Sequence, residues 1–340
     1  MNAILTFAVT LVIVALGTAG IFWVSGADIL GGFAALAQGA FGSEHAIWET
    51  LTRATPVMLT GAAVSVAFRA KIWSIGAEGQ LFAGAVAGYG IIRAFPDLGW
   101  FSIPCILVAG FIGGAGYATL AALLKTRRGV NEVISTVMLN YVALLFLSLL
   151  LLDGPWSDPG SAYAQSPTVP HDTEFPLLAA HSHLHIGLLI GFAACLAVQF
   201  LMARTSFGYD IRAFGLNPHA YAVKTGDADR LILKIMALSG GLAGLAGVGE
   251  VFGVHHRLFA GISPGGGYGY GYTGISLAML MRLNPIGIAV GSILFGGIVS
   301  AAIKMQILAG VPSAASPLIQ AVILLAVLAS GAIVRRFHVE

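Results

Sequence analysis

Residues able to do chemistry are few in this chain, and they lie in short polar breaks between long apolar runs. The stretch Phe68-Arg69-Ala-Lys71-Ile-Trp73-Ser74-Ile-Gly76-Ala-Glu78-Gly79-Gln80 places Glu78 and Gln80 in the first turn of a helix. A carboxylate there is stabilised by the helix dipole and by free backbone N–H groups. Glu78 is therefore either a cap or, at the mouth of a bundle, a gate or a partner contact. In Gly129-Val-Asn131-Glu132-Val-Ile-Ser135-Thr136-Val-Met-Leu-Asn140-Tyr141, the polar residues Asn131, Ser135 and Thr136 fall along one helix side at spacings of four and five, with Asn140 a turn further on. Inside a membrane such a stripe must be paired, so it either bonds neighbouring helices or wets a passage. The run Gly261-Ile-Ser-Pro264-Gly-Gly-Gly-Tyr268-Gly-Tyr270-Gly-Tyr272-Thr-Gly274 cannot be ordinary span helix, because helix penalties of roughly 1 kcal/mol per Gly and 3 per Pro accumulate. It reads as a broken or re-entrant segment, tolerated where it is protein-buried or faces water. Tyr268, Tyr270 and Tyr272 either stack on a flat ring and bond a sugar, or belong to the aromatic belt at the membrane boundary.

Catalytic constellations are missing. No Gly-x-x-x-x-Gly-Lys-Ser/Thr run occurs, and no histidine pairs with a serine or an acid at catalytic spacing, so no nucleotide-hydrolysing site is visible. His181, His183 and His185 alternate, and on a strand they would share one face as a metal site. No nearby Cys, Asp or Glu completes a tetrahedral set, which leaves the alternative of solvated loop histidines. Glu250, His255 and His256 could serve a membrane hydrolase, but adjacent histidines on a helix diverge. Cys105 and Cys195 sit in apolar runs as small packing residues, with no metal expected.

The elements that must position these residues follow from composition. Of 340 residues, 57% are hydrophobic and 9% charged, mean hydropathy is +0.88, and a soluble domain carries roughly a quarter charged residues. The expectation is an all-α membrane protein, a polytopic bundle of about ten transmembrane helices. Spans are expected near 3–24, 51–68, 75–94, 98–124, 130–152, 186–203, 231–252, 268–283, 285–304 and 317–334, the eighth short and glycine-rich. The first lacks a basic leader region and its apolar run is longer than that of a signal, so it is read as a retained span. With both termini cytoplasmic, thirteen of the 17 Lys and Arg residues face the cytoplasm and only Arg53, Arg93, Arg257 and Lys304 the other side, as the positive-inside rule requires. The 153–185 stretch, with Asp153, Asp158, Asp172 and Glu174 but no Lys or Arg, becomes an extracytoplasmic loop, and 204–230 a cytoplasmic one. A net charge of +2 argues for no nucleic acid partner.

Glycines cluster as Gly110-Phe-Ile-Gly113-Gly114-Ala-Gly116 and Gly240-Gly241-Leu-Ala-Gly244-Leu-Ala-Gly247, which reads as close helix packing in lipid. Spans two to five start outside and spans seven to ten inside, a four-plus-four arrangement of opposite sense expected of an inverted repeat. The polar island Thr205 to Asp227, punctuated by Gly and Pro, reads as a surface helix offered to a partner.

Three segments carry a family resemblance: Thr55-Pro56-Val-Met-Leu59-Thr60-Gly61 leading to Ile75-Gly76-Ala-Glu78-Gly79-Gln80; Asn131-Glu132 through Asn140-Tyr141; and Arg212-Ala213-Phe-Gly215-Leu-Asn217-Pro218. In order and spacing the chain resembles the permease subunits of ABC importers for nucleosides, akin to the ribose and branched-chain amino-acid permeases. Where that branch usually shows a Gly after Arg-Ala and an Asn before Ile-Gly-Ala-Glu, this chain has Lys71 and Ser74. The resemblance implies a single permease domain over residues 1–340 in the bacterial cytoplasmic membrane. It also implies a second permease, homologous or identical, two cytoplasmic ATPases that hold the ATP and Mg, and an extracytoplasmic solute-binding protein. The chain itself would need no cofactor. Asp210 to Tyr221 would form the coupling helix, with Arg212 and Asn217 at its polar edge, Pro218 interrupting it and Gly215 permitting approach to the ATPase. Glu78, Gln80, Asn131, Ser135, Asn140, Tyr268, Tyr270 and Tyr272 are candidates for the translocation path or gate. A secondary transporter or channel is the alternative, coupled through Glu78, Glu132 or Glu250, and a membrane-bound metal enzyme using the outer histidines is a third reading.

Overall fold

Thirteen α-helices run along the residues that the computed structural model describes, 2–179, 182–259 and 269–336. They are α1 (Asn2–Val24), α2 (Ile29–Phe41), α3 (Glu44–Arg69), α4 (Ala77–Ala94), α5 (Ser102–Arg128), α6 (Glu132–Leu151), α7 (Gly187–Arg204), α8 (Ser206–Leu216), α9 (Pro218–Thr225), α10 (Ala228–Gly249), α11 (Tyr270–Leu280), α12 (Pro285–Ala309) and α13 (Ala315–Arg336). A π-helical turn, Glu250–His255, extends α10. Among the described residues there is no strand, only two isolated bridges.

Six helices are long and apolar enough to cross a membrane, or seven if the α1–α2 pair, bent by 111°, is one broken span. The ten expected spans all coincide with helix, but the count that passes on length and apolarity is smaller. The reasons are local: α4 carries Glu78, Gln80 and Arg93, and α11 has only 11 residues. Sequence reading also leaves 25–50 outside any helix. There Asp28 accepts the Gly31 N–H at 2.7 Å and starts α2, after a turn in which Gly26 adopts a φ of 73°.

The chain divides into two compact units, Met1–Ala54 with Ile293–Glu340, and Thr55–Ser292. In the first, Phe22, Ala35, Ala40, Ile298, Ala301, Met305 and Ile319 form a buried apolar cluster, and the Thr50 hydroxyl donates to the Ala40 carbonyl at 2.7 Å. The second holds the candidate site. Its centre is the packing of α4, α5 and α10 through the two glycine runs. A methyl group on Gly84 would meet the backbone of Gly244, and one on Gly114 would meet the Gly240 carbonyl and lie 2.8 Å from the Gly244 Cα. In lipid, where apolar burial drives no association, such backbone contact supplies the van der Waals energy that holds helices together.

Gly114→Val is therefore expected to cost at least about 2 kcal/mol, read as a lower melting temperature in detergent. Gly116→Ala, whose methyl group would meet nothing within 4 Å, should be neutral or stabilising by up to about 1 kcal/mol.

Candidate functional site

The site forms where an irregular segment enters the Thr55–Ser292 unit. α3 ends at Arg69, whose guanidinium donates twice to the Leu283 carbonyl, at 3.1 and 2.8 Å. The chain then turns through Lys71, held in the left-handed region at a φ of 56°. A side chain there costs roughly 1–2 kcal/mol against glycine. The following residues reach α4 without regular structure and take their hydrogen bonds from α6. The Ile75 N–H donates to Thr136 Oγ1 at 3.0 Å, the Gly79 N–H to Asn140 Oδ1 at 2.8 Å, and Asn140 Nδ2 to the Ile75 carbonyl at 2.8 Å. Thr136 and Asn140 thus both bind this segment, while the Thr136 hydroxyl itself donates to the Glu132 carbonyl at 2.6 Å. The rest of the stripe acts locally: Asn131 caps α6 through the Val133 N–H at 2.9 Å, and the Ser135 hydroxyl donates to the Glu132 carbonyl at 3.2 Å.

Held in this way, Glu78 points at another helix. Its carboxylate accepts the Gly271 N–H at 2.7 Å, in the first turn of α11, and is itself 6% exposed. Two helix starts, those of α4 and α11, face one carboxylate, whose charge both dipoles stabilise. Glycine is required for the approach. A methyl group on Gly269 would overlap the Glu78 carboxylate, and one on Gly271 would lie 2.7 Å from the Glu78 Cα. The Thr60 hydroxyl donates to the Tyr270 carbonyl at 3.0 Å, and Asn140 Nδ2 donates to Tyr272 Oη at 3.0 Å. Tyr270 is buried and Tyr272 half exposed. Gln80 is buried, its amide over Gly76. Tyr268 lies outside the described residues, as does most of the glycine-rich run read as re-entrant. Sequence reasoning named Thr60 only within a motif; its signal was a hydroxyl one turn beyond Pro56, among Val57, Met58, Leu59 and Gly61.

The polar island is two helices rather than one. Thr205 caps α8 through the Gly208 N–H at 3.1 Å. Asn217 ends α8 and caps α9 through the Ala220 N–H at 3.0 Å, because Pro218 cannot continue a helix but suits its first position. Phe214 and Tyr221 lock the corner edge to face at 5.8 Å. Burial, then the nearby Asp210 carboxylate, raises the Tyr221 pKa. Arg212, Asn217 and Pro218 are exposed, Asp210 and Ala213 half-buried, and Leu216 is 82% exposed at the tip. Gly215 is buried, and a methyl group on it would strike the Arg69 carbonyl, so its missing side chain makes room for a contact within this chain.

The 153–185 loop is stitched to the end of α10. The Ser166, Val169 and Phe175 N–H groups donate to the Leu258, His256 and Phe252 carbonyls at 2.7, 2.9 and 2.9 Å. His183 is exposed while His185 is buried, so they do not share a face, and His181 lies outside the described residues. No cluster among the described residues could hold a metal. His185 accepts the Gly187 N–H at 3.0 Å; burial, then the neighbouring His256, pushes its pKa down to about 4. His255 lies 3.3 Å from Glu250, whereas His256, at a φ of 52°, turns toward Glu174 at 3.8 Å. The adjacent histidines do diverge.

Residues 46–328 match the family described as branched-chain amino acid transport system, permease component. The chain is 32% identical to the guanosine ABC transporter permease protein NupP of Bacillus subtilis, over 96% of this chain and 94% of that one. It is 30% identical to a glucose ABC transporter permease protein of Haloferax volcanii, over 85% and 77%. It is also 30% identical to the nucleoside ABC transporter permease protein NupB of Lactococcus lactis, over 78% and 74%. The chain belongs to this permease family of multi-pass membrane proteins. No solved structure matches it.

Two outcomes test the geometry. Gly269→Ala should destabilise the protein by about 2 kcal/mol or more, and most of that cost should vanish in a Glu78→Ala background, where the methyl group has room. Equal costs in both backgrounds would break the link. His185 folds as the neutral imidazole, while the unfolded chain binds a proton below pH about 6.5. Its contribution is complete above that pH and fades as pH falls toward about 4. His185→Phe should flatten a loss on the order of 3 kcal/mol across this window, measured as melting temperature against pH.

Proposed function

We propose that this permease subunit carries nucleosides or related purine or sugar compounds inward, delivered by an extracytoplasmic binding protein and driven by ATP hydrolysed, with Mg, on cytoplasmic ABC ATPases. In this reading the whole chain works as one permease domain in the bacterial cytoplasmic membrane. It has ten spans in a four-plus-four inverted arrangement, both termini are inside, and a second permease, homologous or identical, lies beside it. The geometry that carries the reading is α11. At 1.5 Å per residue its 11 residues cover about 16 Å, half a ~30 Å hydrocarbon core. Its start is held inside the bundle by Glu78, Thr60 and Asn140. Broken helices whose ends are satisfied by side chains near the midplane mark solute paths in transporters. The solute class is supported by the names of the guanosine and nucleoside permeases to which the chain is similar.

The α8–α9 corner is the proposed lever. It lies between α7 and α10, and Leu216 and Arg212 stand outward from it. Movement of a bound ATPase against this corner would reach α3 through the buried contact of Gly215 with the Arg69 backbone. A secondary transporter would need a free intramembrane acid. Glu132 is instead paired with Lys125 at 2.7 Å and Glu78 is taken up as the cap of α11, which leaves Glu250, buried and 3.3 Å from His255, as the acid such a transporter would have to use.

The test is ATP-dependent uptake of radiolabelled guanosine in liposomes holding the assembled importer. Arg212→Glu and Leu216→Asp should each cut uptake at least tenfold while leaving membrane insertion and the melting temperature unchanged. Undiminished uptake would remove the lever role, and no ATP-dependent nucleoside uptake by the unaltered assembly would remove the substrate reading.

A further inference from the structure

Asn140 settles the direction of a hydrogen bond that matters for solute recognition. Its Oδ1 accepts the Gly79 N–H at 2.8 Å and its Nδ2 donates to the Ile75 carbonyl at 2.8 Å, so the amide can sit only one way round. The remaining proton on Nδ2 goes to Tyr272 Oη at 3.0 Å. Tyr272 is therefore the acceptor in that bond, and its own hydroxyl proton must point elsewhere. Among the described residues that proton has no acceptor. The ring is 37% exposed, on a helix whose neighbouring turn carries Ser276, with its hydroxyl donated back to the Tyr272 carbonyl at 3.2 Å. Tyr272 stands eight residues before Leu280, where α11 ends, about 12 Å along the helix and inside the apolar part of the chain. An O–H group left without an acceptor there costs several kcal/mol if it faces hydrocarbon.

We infer that Tyr272 is a preset hydrogen-bond donor for the solute, its hydroxyl addressed to an acceptor atom of a flat heterocycle, a ring nitrogen or carbonyl oxygen of a nucleobase, and its ring offering a stacking face. The inference rests on the nucleoside reading above. It assigns to Tyr272 a role different from that of Tyr270, which is buried against Thr60. Asn140 is the positioning residue: by filling the acceptor side of Oη, it leaves only the donor for the passing solute. A solute lacking the matching acceptor would leave the donor unpaired and cross more slowly.

The experiment uses the complete importer in liposomes and compares guanosine with its 3-deaza, 7-deaza and 6-deoxo analogues, for the wild type and for Tyr272→Phe, which keeps the ring and removes the hydroxyl. Expected is a five- to tenfold slower uptake of guanosine by the variant, the weight of one neutral hydrogen bond. One analogue should be slowed by the same factor in the wild type and no further in the variant. Uptake of guanosine at the wild-type rate overturns the inference. So does equal slowing of every analogue by the variant, which would mean that the hydroxyl only holds Asn140. If the wild type takes up guanosine with ATP in either case, the nucleoside reading stands while the role of Tyr272 falls. If the wild type takes up none, both fall together.

Discussion

A carboxylate inside a lipid-embedded bundle must be matched by donors, and Glu78 meets that demand at the start of α11. Its bond to the Gly271 N–H joins segments 193 residues apart in sequence, and the other contacts of the site serve to keep that alignment. The segment before α4 has no regular hydrogen bonds of its own, so Thr136 and Asn140 supply them. Asn140 then reaches across to Tyr272, so a single amide ties α6, the entry to α4 and α11 together. Because Glu78, Thr136 and Asn140 are polar and buried, loss of one leaves another without a partner, and these groups behave as a unit.

Glycine makes the arrangement possible twice over. Where α4, α5 and α10 meet, Gly84, Gly114, Gly240 and Gly244 bring backbones into direct contact. Within a bilayer this is an ordinary solution, since lipid is as apolar as leucine and rewards close fit instead of burial. At Gly269 and Gly271 the same absence of a side chain admits a charged group. Tight helix packing and a buried carboxylate thus both rest on removing the Cβ, one for dispersion energy and the other for electrostatic satisfaction.

The segment 153–185, read from its acids and its want of Lys and Arg as an extracytoplasmic loop, is also a packed one: Ser166, Val169, Thr173, Phe175 and His185 are buried and its backbone pairs with the chain leaving α10. That chain leads into the glycine-rich run and α11. The loop therefore braces the end of α10, which precedes α11 in the chain.

Hydropathy, glycine spacing and the polar breaks determined from the sequence alone that the chain is helical and membrane-embedded, and they singled out Glu78, Asn140, Tyr270, Tyr272 and the 205–227 island. These are local properties, set by a residue and its near neighbours along the chain. Only the tertiary structure decided their partners: that Glu78 caps α11 as well as standing in the first turn of α4, that Gly215 makes room for the Arg69 carbonyl, that Thr60 completes the site, and that His183 and His185 part company. The physical reason is that a polar group in a bundle is satisfied by whichever segment packs against it, and that choice is made by long-range packing of helix faces, which leaves no mark in the spacing of the residues it joins.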